Sequence, residues 1–320
     1  MIRRLILLGI VLAAIAFVAA FLAWSGAGPA PKSVAIIVPE GGTLTTAARE
    51  LEKAGAVSSS RRFLLLSKIF GGDGIIRAGE YELPKHASAR DILAVLQSGK
   101  TLQRFVTVPE GTPSILVYEK LVANPLLTGP VVVPLEGAVL PDSYSFQRGE
   151  TRTAVLKRMT AAMDKALATL WKTRKASSVA RTPQEAVTLA AIVEKETGVA
   201  AERRMVAGVY SNRLRIGMPL QADPTVIYPV TKGKPLGRRI LRSELQADNG
   251  YNTYARPGLP AGPIANPGRA SIAAVLDPAP TKALYFVAKG DGGHVFAETL
   301  AEHNANVAKW YALRRQRGEM

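Results

Sequence analysis

Residues 5–24 form an apolar run unbroken by charge or strong polarity. An α-helix rises about 1.5 Å per residue, so roughly twenty residues cross a hydrocarbon core of ~30 Å. Arg3 and Arg4 stand just before the run, and the positive-inside tendency assigns the N-terminus to the cytoplasm. Everything after Trp24 is then expected outside it. The alternative is a cleaved leader, for which Ala19-Ala20 and Ser25-Gly26-Ala27-Gly28 offer small residues. The run is long for the apolar part of a leader, which favours an uncleaved anchor. Either way the rest of the chain is exported.

Export bears on the charge. Lys and Arg number 41 against 25 Asp and Glu, a formal net charge of +16. Such a surplus calls for a polyanion. Outside the cytoplasm, and with no DNA- or RNA-binding module in the sequence, nucleic acid is a poor candidate. Anionic lipid headgroups and acidic groups of an extracellular polymer fit better. Cysteine is absent, which excludes disulfides, Cys-ligated zinc and a cysteine nucleophile. At 320 residues the chain is long enough to bury its own core.

The periodicities indicate an α+β chain in sections. Residues 1–4 are the cytoplasmic end, 5–24 the transmembrane helix and 25–32 a Gly/Ala/Pro linker. Residues 33–106 read as a small α+β module. In it, Val34 to Val38 and Gly79 to Leu83 read as strands. Helices are expected over residues 43–54, 61–70 and 88–96, the last opened by Ser88 with Asp91 three residues on. Residues 101–108 alternate as a strand. Residues 107–135 read as a connecting segment, in which Pro109-Glu110-Gly111 repeats the turn Pro39-Glu40-Gly41, each after an apolar strand and before a helix-like stretch. Residues 136–320 read as a larger mixed α+β domain. It holds a loop at 137–144, helices at 151–174, 182–196, 201–214, 271–276 and 300–313, a hairpin at 283–296, and a long loop at 219–267.

The chemistry points to the helix that Thr182-Pro183-Gln184-Glu185 begins. On its wheel Glu196 falls in line with Leu189 and Ile192. Glu194 lies over the Val187/Ala190 track, and Lys195 points away from both. A carboxyl on the apolar face at a helix C-terminus has its pKa raised by burial and by the helix dipole, as a general acid requires. The structural alternative pairs Glu196 with Arg203 or Arg204. The long loop adds Gln221, Asp223, Asn252, Thr253 and Tyr254, whose amides, hydroxyls and rings suit sugar recognition. Its alternative is a tyrosine-rich packing loop. His86, His294 and His303 share no metal spacing and are expected to be structural or exposed. Gly71-Gly72-Asp73-Gly74 lacks the residues of a phosphate loop, no G-x-S-x-G elbow is present, and Arg314-Arg315-Gln316-Arg317 reads as a solvated helix end.

Several strings together carry a resemblance. They are Leu189-Ala190-Ala191-Ile192-Val193-Glu194-Lys195-Glu196-Thr197, Val209-Tyr210-Ser211-Asn212-Arg213-Leu214 and Gly217-Met218-Pro219-Leu220-Gln221-Ala222-Asp223-Pro224-Thr225-Val226. Tyr251-Asn252-Thr253-Tyr254, Gly258-Leu259-Pro260, Asn266-Pro267-Gly268, Gly292-Gly293-His294-Val295-Phe296 and the upstream Leu140-Pro141-Asp142-Ser143-Tyr144 belong with them. In these strings the chain resembles the YceG-like family, the membrane-anchored endolytic murein transglycosylases called MltG. Ala190-Ala191 departs from the commoner Ala-Ser without touching a carboxylate.

The resemblance implies cleavage of nascent peptidoglycan glycan strands after N-acetylmuramic acid, leaving 1,6-anhydro-muramyl ends. It implies Glu196 as the catalytic residue, no metal and no cofactor. It also implies a LysM-like module at 33–106, peptidoglycan synthases (penicillin-binding proteins) as partners, and a catalytic domain on the periplasmic side of the inner membrane. Gln221, Asp223, Asn252, Thr253 and Tyr254 are the expected substrate contacts. Asp223 leaves a choice: as a second acid it would favour a hydrolytic muramidase, and as a brace before Pro224 it is structural. A non-catalytic glycan-binding scaffold is the third possibility.

Overall fold

The computed structural model describes residues 2–72 and 74–319, and the chain divides into two compact units after Arg104.

In the first unit, α1 (Ile2–Ser25) is long and apolar enough to cross a membrane, and most of its apolar side chains find no protein partner. β1 (Val34–Val38) pairs antiparallel with β2 (Gly79–Leu83), with Ile36 opposite Tyr81. Around this ribbon stand α2 (Leu44–Lys53), α3 (Ser60–Phe70) and α4 (Ala89–Ser98). Their starts follow from sequence: Thr43, Ser59 and Ser88 each accept a backbone N–H of the first turn. At Ser88 the Asp91 carboxylate returns the bond, completing a capping box. Leu51, Phe63, Tyr81, Leu83, Ile92 and Leu96 are buried together with Trp24 of α1, so the end of α1 belongs to this core.

The second unit has two cores. One gathers β3 (Arg104–Thr107), α5 (Ser114–Ala123), β4 (Ser143–Phe146) and the first half of α6 (Arg152–Lys172) around Val117, Leu121 and Met159. β3 pairs with β4. Within the segment read as a connection, α5 occupies the helix-like stretch expected after Pro109-Glu110-Gly111. One expectation changes: the loop read at 137–144 leads into a strand. Both elements are short, and their apolar residues find partners only across the fold.

The other core surrounds α7 (Pro183–Glu196), against which α8 (Arg203–Arg215) and α11 (Arg269–Leu276) pack. Every residue from Ala186 to Val193 is buried, so α7 is enclosed on all sides. Ala190 and Ala191 let its neighbours approach closely. A 3-10 turn, Ala200–Glu202, leads into α8. The stretch read as one long loop contains α9 (Asp223–Thr231) and α10 (Arg242–Gln246), which its Pro and Gly content hides. An antiparallel hairpin, β5 (Tyr285–Ala288) and β6 (His294–Ala297), precedes α12 (Leu300–Gln316).

Candidate active site

Both glutamates of the Glu-Lys-Glu triplet lie at the C-terminal end of α7, and their partners separate them. Glu194 Oε2 accepts the Gly268 N–H at 2.9 Å, and its Oε1 lies 3.7 Å from the Arg203 guanidinium. Arg203 also pairs with Glu110 at 3.1 Å. A Cβ at position 268 would collide with the Glu110 side chain as it stands, so glycine there lets Glu110 lie against this turn. Arg204 pairs with Asp277. The two arginines that could have neutralised Glu196 are therefore engaged elsewhere.

Glu196 Oε1 is buried with no hydrogen-bond partner. The carboxyl accepts from the buried Tyr210 hydroxyl of α8. Burial pushes its pKa up to about 7; the Asp223 charge acts the same way, while the Tyr210 hydrogen bond and the Arg213 guanidinium oppose it. The wheel expectation located the side chain on one apolar face. In the enclosed helix it is instead the position at the open end of α7 that leaves Glu196 facing a cleft.

That cleft, of about 350 Å³, is lined by Glu196, Tyr210, Arg213, Leu220, Gln221, Asp223, Tyr254, Phe286 and His303. Residues of α7, α8, the 219–223 loop, the 251–254 loop, β5 and α12 converge on it. Arg213 is nearly buried. Its Nε donates to Leu284 O at 2.7 Å and one Nη to Leu220 O at 2.8 Å, tying the hairpin and the loop to α8. Asp223 opens α9 and accepts the Tyr254 hydroxyl at 2.6 Å. Gln221 has a left-handed backbone, φ +52°, and its N–H bonds Thr253 O at 3.1 Å, which turns its side chain into the cleft rim.

Three of the five expected contacts, Gln221, Asp223 and Tyr254, thus meet around Glu196. Asn252 and Thr253 do not line the cleft. The Asn252 amide nitrogen donates to the carbonyls of Glu244, Leu245 and Ala247, and its oxygen accepts the Tyr254 N–H. Thr225 Oγ1 donates to Ala222 O at 2.7 Å, so across the 2.8 Å Thr225–Thr253 contact the Thr253 hydroxyl is the donor. Thr253 Oγ1 in turn accepts the Ala222 N–H. Both residues brace the two loops against each other. Tyr228 and Tyr251 pack on one another with ring centroids 4.9 Å apart, as the packing-loop alternative has it for these rings.

Four cleft residues escaped the sequence as site candidates: Tyr210, Arg213, Phe286 and His303. The first two recur at α7-facing positions of the Val209 to Leu214 string, a signal that was available. His303 was expected to be structural or exposed. It stacks on Tyr285 at 5.2 Å, its Nδ1 is buried without a partner, and burial, with the Arg213 charge, holds its pKa below the usual value. His294 bonds Glu202 at 2.8 Å, and His86 approaches Gly28 O.

A buried acid poised near neutrality in a polar cleft suits proton donation to a leaving oxygen followed by proton recovery. The relatives of the chain agree in kind. An endolytic murein transglycosylase of Bacillus subtilis is 32% identical, over 89% of this chain and 87% of that protein. One from Streptococcus pneumoniae is 30% identical over 87% of this chain, which spans 58% of that longer protein. The crystal structure of a yceG-like protein from Listeria monocytogenes covers 86% of this chain and 98% of its own, with a TM-score of 0.55 and 27% identity. The model of the YceG-like family matches residues 36–309, and the chain belongs to that family.

Proposed function

We propose that the protein is an endolytic lytic transglycosylase that cuts peptidoglycan glycan strands after N-acetylmuramic acid, with Glu196 as its single acid and base. The observation that carries this is a buried carboxyl with one unpartnered oxygen and a pKa near 7, set in a cleft lined by the amide, carboxylate and hydroxyl of Gln221, Asp223 and Tyr254. Protonated, Glu196 donates to the glycosidic oxygen as the bond to the anomeric carbon breaks. As carboxylate it takes the proton of the muramyl C6 hydroxyl, whose oxygen attacks that carbon and closes the 1,6-anhydro ring. The nucleophile belongs to the substrate, so its effective molarity is high and no water need be activated. The Tyr210 hydrogen bond and the Arg213 charge stabilise the carboxylate between the two proton transfers. Gln221, Asp223 and Tyr254 hold the sugar, with Tyr254 fixing Asp223.

Anchoring by α1, an N-terminus in the cytoplasm and a catalytic unit in the periplasm complete the proposal. So do a LysM-like role for residues 33–106 and action beside the penicillin-binding synthases that extrude new strands. Asp223 supports a second possibility, since it lines the same cleft and could activate water in a hydrolytic muramidase. Digestion of purified peptidoglycan followed by mass spectrometry separates the two. Anhydro-muramyl ends are expected. Reducing ends would assign the hydrolase, and no cleavage would leave a glycan-binding scaffold. Glu196→Gln is expected to abolish cleavage while the fold persists; an active variant would move the site elsewhere.

A further inference from the structure

The exposed apolar side of α3 has a partner within reach. Phe70, at the end of α3, packs against three aromatic residues on one face of α1: Phe17 at 5.6 Å, Phe21 at 5.9 Å and Trp24 at 6.2 Å between ring centroids. At about 1.5 Å per residue, Phe17 stands about 12 Å along the helix from Ser25. The start of α3 lies elsewhere. Ser59, Arg62 and Phe63 line a small cavity with Leu22, Gly26, Ala27, Gly28 and Pro29. So α3 runs antiparallel to α1, its beginning level with the end of α1 and its end beside Phe17 to Trp24, the last third of the apolar span.

The side chains follow that gradient. Arg61 and Arg62 are exposed at the beginning of α3, and the helix contains no acid. Leu65 and Ile69, one turn apart on the free side, are 60% and 55% exposed, and Ile75 just beyond the helix is 85% exposed. Phe63, Leu66 and Ser67 face the protein core. Lys68 is the one charge at depth on α3, and its four-carbon stem can return the ammonium to the surface. Isolated apolar residues on a surface are ordinary. A row of them held rigidly beside a membrane-spanning helix, below its end, cannot face water once that helix is inserted.

We infer that α3 is a second membrane contact: it dips beside α1 into the leaflet that α1 exits, with Leu65, Ile69 and Ile75 among the acyl chains and Arg61 and Arg62 at anionic headgroups. This rests on the anchoring role proposed for α1. The buried depth, about 5–10 Å, is that of interfacial amphipathic helices. The consequence is that the first unit is seated on the membrane rather than swinging from the linker.

Because the chain has no cysteine, single-cysteine variants of the full-length protein give clean labels. Leu65→Cys and Ile69→Cys test the surface, Val18→Cys reports insertion of α1, and Arg49→Cys on exposed α2 marks water. Each is labelled with a nitrobenzoxadiazole dye and reconstituted in vesicles of phosphatidylethanolamine and phosphatidylglycerol. Labels at 65 and 69 are expected to emit blue-shifted and to be quenched by doxyl-labelled lipid, as at 18, with 69 deeper than 65 and 49 unquenched. Water-like emission at 65 and 69, with 18 in lipid, would overturn the contact and leave the anchor standing. Water-like emission at 18 as well would overturn both. In vesicles lacking phosphatidylglycerol, shallower labels at 65 are expected if Arg61 and Arg62 bind anionic headgroups; unchanged depth would remove that part of the assignment.

Discussion

The Tyr210 hydroxyl donates a hydrogen bond to Glu196, and that bond lowers the pKa of this buried carboxyl. The bond favours the charged form and so offsets part of the cost of burial. Tyr210→Phe removes it without adding volume. The Glu196 pKa should then rise further, and the alkaline limb of the pH–rate profile should shift upward from about pH 7. The rate below that limb should fall, because the carboxylate between the two proton transfers has lost a partner. Measuring kcat/KM against pH for both proteins checks this. An unmoved limb would mean that Glu196 does not set it.

Glu196 also makes the fold pH-dependent. Its folded pKa, about 7, lies above the unfolded value of about 4.5. Below pH 4.5 both states hold the proton and this group costs nothing. As pH rises from 4.5 to 7 the unfolded chain gives up its proton first, so stability falls, and above 7 the loss is complete. At about 1.4 kcal/mol per pKa unit the loss is on the order of 3–4 kcal/mol. Glu196→Gln removes the titration. The variant should therefore melt higher than the parent at pH 8, with the gap closing toward pH 5, in thermal unfolding followed by circular dichroism.

How much of this was legible beforehand depends on the range of each interaction. The caps at Thr43, Ser88 and Thr182, the ribbon strands at Val34 and Gly79, and the enclosed α7 are set by neighbours in sequence, and they could be read from it. Glu196 stood out because an acid at the end of an apolar helix is a local anomaly. α9 and α10 are short, and the Pro and Gly in and around them mask their periodicity. Asn252 and Thr253 looked like sugar-binding groups because composition cannot tell a side chain spent on its own backbone from a free one. Phe286 and His303 carry no local signal, since only the tertiary fold brings β5 and α12 to the same cleft.

Glu194 should behave unlike its neighbour. It accepts the Gly268 N–H and faces Arg203, whose Nε is already buried without a partner. Glu194→Ala leaves the Gly268 N–H unanswered and leaves Arg203 with Glu110 as its remaining carboxylate, with a cost of about 1–3 kcal/mol for the lost buried acceptor. Glu194→Gln can still accept from Gly268 and should cost less. Denaturant unfolding gives the order. For activity, both variants should keep the wild-type alkaline limb, since neither changes the groups around Glu196; a displaced limb would instead place Glu194 in the proton chemistry.

Asn252 decides whether the 251–254 loop binds sugar through that residue or merely holds its shape. Its amide nitrogen meets three carbonyl oxygens, at 3.2, 2.9 and 2.8 Å. Asn252→Asp puts an oxygen where only a donor fits, buried against three acceptors. The loss should exceed about 2 kcal/mol, the range for an unsatisfied buried polar group plus repulsion. Tyr254 and Asp223 would lose their mutual positions with it, so activity should fall along with stability. Tyr254→Phe should leave stability nearly unchanged, because its hydroxyl meets an exposed Asp223, and should still weaken turnover. Paired melting curves and KM values separate the two. A stable Asn252→Asp protein with a raised KM would return Asn252 to the substrate.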